Sequence, residues 1–158
     1  MAKINLRRVL LGGILGGLVM DLLGYAVDGR MLAAEWTAEM HALGRPTASN
    51  YEVAWMNILG VICGVIAVYL YAAMRPRFGG GTLTALRAAL IVWVVGSLIP
   101  NASFMYLSGL FSQHLAVLTT AGSLAGTIVG TIVGAALYSE AKASVPAPAP
   151  RSEQTTSA

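Results

Sequence analysis

Apolar positions dominate this chain and fall into four long runs separated by short polar stretches. A helix needs about 20 mainly apolar residues to cross roughly 30 Å of hydrocarbon. Runs at 9–27, 54–74, 88–107 and 115–138 meet that length. Backbone groups in lipid have no water to bond, so each run is expected to be an α-helix. The fold class that follows is all-α: an integral membrane four-helix bundle.

Between the first two runs the pattern changes. Over 30–43, Leu32, Trp36, Met40 and Leu43 recur at helical spacing, with Glu35 and Glu39 four apart on another face. This predicts an amphipathic helix lying at the membrane interface, anchored by Trp36. Asp28 is placed to cap its start, and Gly44 and Pro46 to stop it. Ser49 and Glu52 have capping-box spacing and open the second span. The domain organisation is then 1–141 as the transmembrane unit and 142–158 as a tail. The tail's alternating Pro and Ala, followed by polar residues, cannot supply a core and reads as disordered.

Composition supports the membrane class. Of 158 residues, 56% are apolar and 11% charged, against about 25% charged in a typical soluble domain. Mean hydropathy is +0.70. The net charge of +3 is scattered between apolar runs, so it reports orientation better than nucleic-acid binding. Lys3, Arg7, Arg8, Arg75, Arg77, Arg87, Lys142 and Arg151 all flank the same side of the spans. Only Arg30 and Arg45 lie in the first outer loop, among Asp28, Glu35, Glu39 and Glu52, and the last loop has no Lys or Arg. The positive-inside rule therefore predicts both termini in the cytoplasm. The basic start followed by an apolar stretch imitates a signal peptide. Asp21 interrupts it and no A-x-A site follows, so an uncleaved first helix is expected.

Lipid gives no hydrophobic drive for helix pairing, so small residues that let backbones approach take on that role. Gly122, Gly126, Gly130 and Gly134 repeat every fourth position in the last span, with Ser123, Thr127 and Thr131 beside them. The first span has Gly12 and Gly16 among its glycines, and the second has Gly60 and Gly64. These glycine-zipper patterns predict close helix packing. Whether a second copy of the chain fills any of the grooves is left open, and so is a partner membrane protein. A shift of 80 positions also aligns Leu6-Arg7 with Leu86-Arg87, Gly16 with Gly96 and Asp21 with Asn101, as two hairpins of the same orientation would.

Candidate chemistry is confined to polar residues within the spans. A charge in a transmembrane helix costs at least about 2.5–3.5 kcal/mol on insertion scales and normally faces the protein interior or water. Asp21 is such a residue, roughly 9 Å from the outer end of its span at 1.5 Å per residue. Asn57, Asn101 and Ser123 are expected at similar depth, so Asp21, Asn57, Asn101 and Ser123 form a candidate intramembrane polar site. Its alternatives are an interhelical hydrogen-bond network and a proton- or ligand-handling site. Pro100 beside Asn101 is expected to disturb its helix.

No catalytic set is visible. Cys63 is the single cysteine, so no CxxC or internal disulfide exists. His41 and His114 lack further ligands for a metal. Zincin, nucleophile-elbow and phosphate-loop motifs are absent. No cofactor is expected.

Leu43-Gly44-Arg45-Pro46, the stretch Tyr71-Ala72-Ala73-Met74-Arg75-Pro76-Arg77-Phe78-Gly79 and the glycine-rich first helix together resemble a family of small bacterial four-helix membrane proteins of unknown function. The resemblance spans about residues 5 to 140. It implies a bacterial inner-membrane location and brings no activity or site residue. The chain also looks superficially like small multidrug transporters, with four helices and an acid in the first. It departs from them in its long amphipathic loop and in lacking their motifs. The functional expectation is a structural or accessory membrane component that is not an enzyme; the alternative is a small proton-coupled transporter using Asp21.

Overall fold

A computed structural model describes residues 4–45 and 48–138. All regular structure in them is helical, and four helices are long and apolar enough to cross a membrane. The helices are α1 (Leu6–Met31), α2 (Ala33–Ala42), α3 (Asn50–Phe78), α4 (Thr82–Leu107) and α5 (Gln113–Ala136). Pro46 and the proposed tail lie outside the described residues.

Polar side chains cap α1, α3 and α5, and these helices begin before the apolar stretches that predict them. Asn5 accepts from the Arg8 amide at the start of α1, and Ser112 from the Leu115 amide at the start of α5. At α3 both halves of the predicted capping box form: the Glu52 amide donates to Ser49 Oγ and the Ser49 amide to Glu52 Oε2. Such reciprocal bonds satisfy amides that the first turn leaves free. Gly44 ends the α2 segment at φ +68°, with its amide on the His41 carbonyl.

Two expectations are corrected. The first helix does not stop near Val27; its last turn, Val27–Met31, continues as a wider π-helical turn. The amphipathic helix consequently begins at Ala33 rather than at residue 30. Asp28 does not cap it: the cap position is Leu32, with no side-chain bond.

Pro100 perturbs α4 as its chemistry demands. Proline lacks an amide and its ring crowds the carbonyl four residues back. The helix widens into π-helical turns at Val94–Leu98 and Ala102–Leu107, on either side of Pro100.

α1 packs between α3 and α5, and α4 packs against the same two helices from the other side. The glycines explain how closely. A Cβ on Gly16 would stand 2.6 Å from the Gly130 carbonyl oxygen, and one on Gly12 would strike that of Gly134. One residue on, Gly13 is pressed against the backbone of Val65, and Gly17 against that of Val61. Gly64 of α3 returns the contact onto Gly13 and Gly17. Adjacent residues on a helix point about 100° apart, so α1 presents two glycine faces, one to each neighbour. Both pairings run antiparallel, since rising numbers on α1 meet falling numbers on α3 and α5.

Two apolar clusters close the ends. One joins Val9, Val68, Tyr71, Ala72, Ala85, Ala88, Ala135 and Tyr138. There the Tyr71 and Tyr138 rings meet edge to face at 6.1 Å, with the Arg75 guanidinium 6.0 and 5.5 Å from them. The other cluster joins Leu32, Met105, Leu115 and Ala116, with Trp36 and Phe111 against it.

Candidate functional site

The polar residues fall into three groups rather than one. The first is Asp21 on α1. A helical side chain leans toward its own N-terminus, which carries the Asp21 carboxyl back over Gly17 and onto Gly60 of α3. A Cβ at Gly60 would collide with Asp21 Oδ1, so any larger residue there would displace the carboxyl. Oδ2 is buried and has no hydrogen-bond partner among the described residues. α5 has no Asp, Glu, Lys or Arg anywhere along its length.

The second group links α4 to α5. Asn101 Nδ2 donates to Thr120 Oγ1 at 3.0 Å. Trp93 Nε1 donates to Ser123 Oγ and to the Thr120 carbonyl, each at 3.1 Å. Two of the four predicted site residues, Asn101 and Ser123, thus meet through Thr120 and Trp93. Asn101, Trp93 and Thr120, but not Ser123, line an outward-opening groove of about 370 Å³ together with Tyr106 and Val117. Asp21 has no hydrogen bond to this pair. Asn57 faces out of the helix assembly and donates to the Val53 carbonyl of its own helix at 2.7 Å.

The hydroxyl strip of α5 is satisfied at home. Thr120, Thr127 and Thr131 each donate to the carbonyl one turn earlier, on Ala116, Ser123 and Thr127. Self-bonded hydroxyls cost little in an apolar setting, and they leave nothing directed at a ligand.

The third group clamps α2 over the start of α5. Asp28 Oδ1 accepts from Thr119 Oγ1 at 2.8 Å and from Trp36 Nε1 at 3.3 Å. Glu35 Oε2 meets His114 Nδ1 at 3.0 Å, and Glu39 Oε1 accepts the Ser112 amide at 3.1 Å. Trp36, expected as an interfacial anchor, packs edge-on to Phe111 at 5.6 Å. The widened turn at Val27–Met31 carries Asp28. Sequence reasoning missed this group because Thr119 stands 91 positions from Asp28, and His114 79 from Glu35. No local spacing signals either pair.

The glycine positions divide as well. Gly12, Gly16, Gly60, Gly64, Gly130 and Gly134 are in backbone-distance or side-chain collision range. Gly122 is crowded by Val27 Cγ1 at 2.6 Å, whereas Gly126 has ordinary contacts, the nearest at 3.6 Å.

Among the described residues no group of three or more His, Cys, Asp or Glu side chains could hold a metal ion. The chain matches no family model, no curated protein and no solved structure with which it was compared.

Proposed function

We propose that the chain is a non-catalytic structural or accessory component of a bacterial inner membrane, forming a four-helix bundle that crosses it four times with both termini in the cytoplasm. The observation that carries this reading is the double glycine seam along α1. Helices in contact at backbone distance on two faces leave no path between them, as a packing element requires and a carrier does not. The orientation is supported by Arg7, Arg8, Arg75, Arg77 and Arg87, which sit at the ends of α1, α3 and α4 away from the acidic α2 region. The clamp on α2 supports a preformed outer surface for a partner membrane protein or a second copy. The side chains exposed on α2 include Ala34, Thr37, Ala38 and His41, so a photo-reactive residue at Ala38 reports on that surface in native membranes. A discrete protein adduct is expected; adducts with lipid alone would count against it.

A second reading, a small proton-coupled transporter, is favoured by one observation, the unpartnered Oδ2 of Asp21. An intramembrane acid is by default a functional candidate. Proteoliposomes carrying a trapped pH dye separate the two. A structural component gives the same proton flux for wild type and Asp21→Asn under an imposed gradient. Flux lost in Asp21→Asn would overturn the structural reading.

A further inference from the structure

Besides Arg75, whose guanidinium stands beside Gly80 and the Tyr71 and Tyr138 rings, the turn between α3 and α4 carries two further cations. The Arg77 guanidinium lies 5.9 Å from the Phe78 ring centroid, and that of Arg87, from the second turn of α4, lies 4.9 Å from the same centroid. Neither pairs with a carboxylate among the described residues. No Asp or Glu occurs anywhere between Leu70 and Leu90. Two like charges drawn to one ring repel each other, and an anion between or beside them relieves that repulsion. A planar guanidinium is also the group best matched to phosphate oxygens.

The surroundings select the kind of anion. Phe78 and Leu83 are 49% and 62% exposed at the same turn. Apolar side chains interleaved with arginines fit an interface where acyl chains meet phosphates, and fit a soluble polyanion poorly. We propose that Arg77 and Arg87 bind the phosphate of an anionic phospholipid, with the Phe78 ring steadying both guanidinium groups and Phe78 and Leu83 reaching the acyl region. This site rests on the membrane reading above. The two fail separately, because a spanning chain resists extraction from carbonate-washed membranes whether or not this lipid binds.

The test uses the full chain purified into phosphatidylcholine nanodiscs with increasing phosphatidylglycerol, with bound lipid counted by native mass spectrometry. A basic side chain near an anionic surface contributes about 5-fold in affinity, so Arg77→Gln with Arg87→Gln is expected to weaken phosphatidylglycerol binding about 30-fold. Arg7→Gln with Arg8→Gln, which removes equal charge from the same end of the molecule, is expected to weaken it far less. Equal losses in the two pairs would overturn the site in favour of diffuse surface charge. Unchanged binding in the first pair would overturn it outright. Phe78→Leu keeps every charge and is expected to lose affinity several-fold, so the proposal stays testable if the double variant does not fold; wild-type affinity in Phe78→Leu would then overturn it. Inorganic phosphate is the competing arm. Displacement of the lipid by millimolar phosphate would reassign the site to the free ion.

Discussion

Gly16 and Gly130 touch through their backbones: a Cβ on either would stand 2.6 or 2.5 Å from the carbonyl oxygen of the other. α1 cannot yield without disturbing a second contact, since Gly17 is held equally close to α3. Gly16→Ala and Gly130→Ala are therefore each expected to destabilise the protein by about 1–3 kcal/mol, the usual range for overpacking. Gly126→Ala meets only ordinary contacts, and Gly24→Ala meets nothing within 4 Å. Both are expected to be neutral or stabilising, by up to about 1 kcal/mol from helix propensity. Thermal unfolding in detergent measures all four, and equal losses across them would refute the seam.

Gly60 and Asp21 give a sharper case. Gly60→Ala sets a methyl where the Asp21 carboxyl now lies. In Asp21→Gly the space is free, so the double variant is expected to recover part of the stability lost in Gly60→Ala. A double-mutant cycle on unfolding free energies reads this coupling directly. Additive losses would show that the carboxyl does not rest on Gly60.

At the clamp over α2 the partly buried bonds of Asp28 should outweigh the exposed Glu35–His114 pair. Asp28→Ala leaves the Thr119 hydroxyl and the Trp36 indole without an acceptor, which costs about 1–3 kcal/mol. Glu35 and His114 have side chains 41% and 67% exposed, and pairs in such positions contribute only about 0–1 kcal/mol. Hydrogen exchange of α2 should rise more in Asp28→Ala than in Glu35→Ala. The reverse order would mean that the ion pair, rather than Asp28, holds α2 down.

Asn57 and Asn101 look alike in the sequence and are expected to behave differently. Asn101→Ala removes an interhelical bond to Thr120, and such bonds average about 0.6 kcal/mol with a ceiling near 1.7. Asn57 bonds only its own helix, so Asn57→Ala is expected to leave stability unchanged. Unfolding measurements that find Asn57→Ala the more damaging would place its amide against another helix.

Which of these features could be read from the chain follows from their range. The four long helices and the capping box were legible because hydropathy and cap spacing act within a turn or a span. Pro100 was legible as a disturbance, though not as two widened turns, since the winding depends on what α4 packs against. Of the four candidate polar residues only Asn101 and Ser123 come together, and the chain does not show which of them would. Depth in a span follows from counting, but azimuth follows from which glycine face meets which helix. That rotation sends Asn57 outward and Asn101 toward Thr120. Local spacing assigns Asp28 to the nearest helix start, whereas its partner Thr119 lies on α5. For Trp36, amphipathicity gives the face it lies on, while its contact with Phe111 on a distant loop is set by the fold.

The position of α1 between α3 and α5 has a consequence for how the protein is made. Its Gly13 and Gly17 face can be filled as soon as α3 is synthesised, but its Gly12 and Gly16 face waits for Gly134 and Gly130. At ordinary ribosomal speed that delay is on the order of 10 s. For that interval a nascent chain carries an open seam shaped for the last helix, and any neighbouring copy displays the matching strip. Crowded expression thus favours exchange of α5 between chains, and premature termination before Gln113 leaves a seam that the chain itself cannot fill.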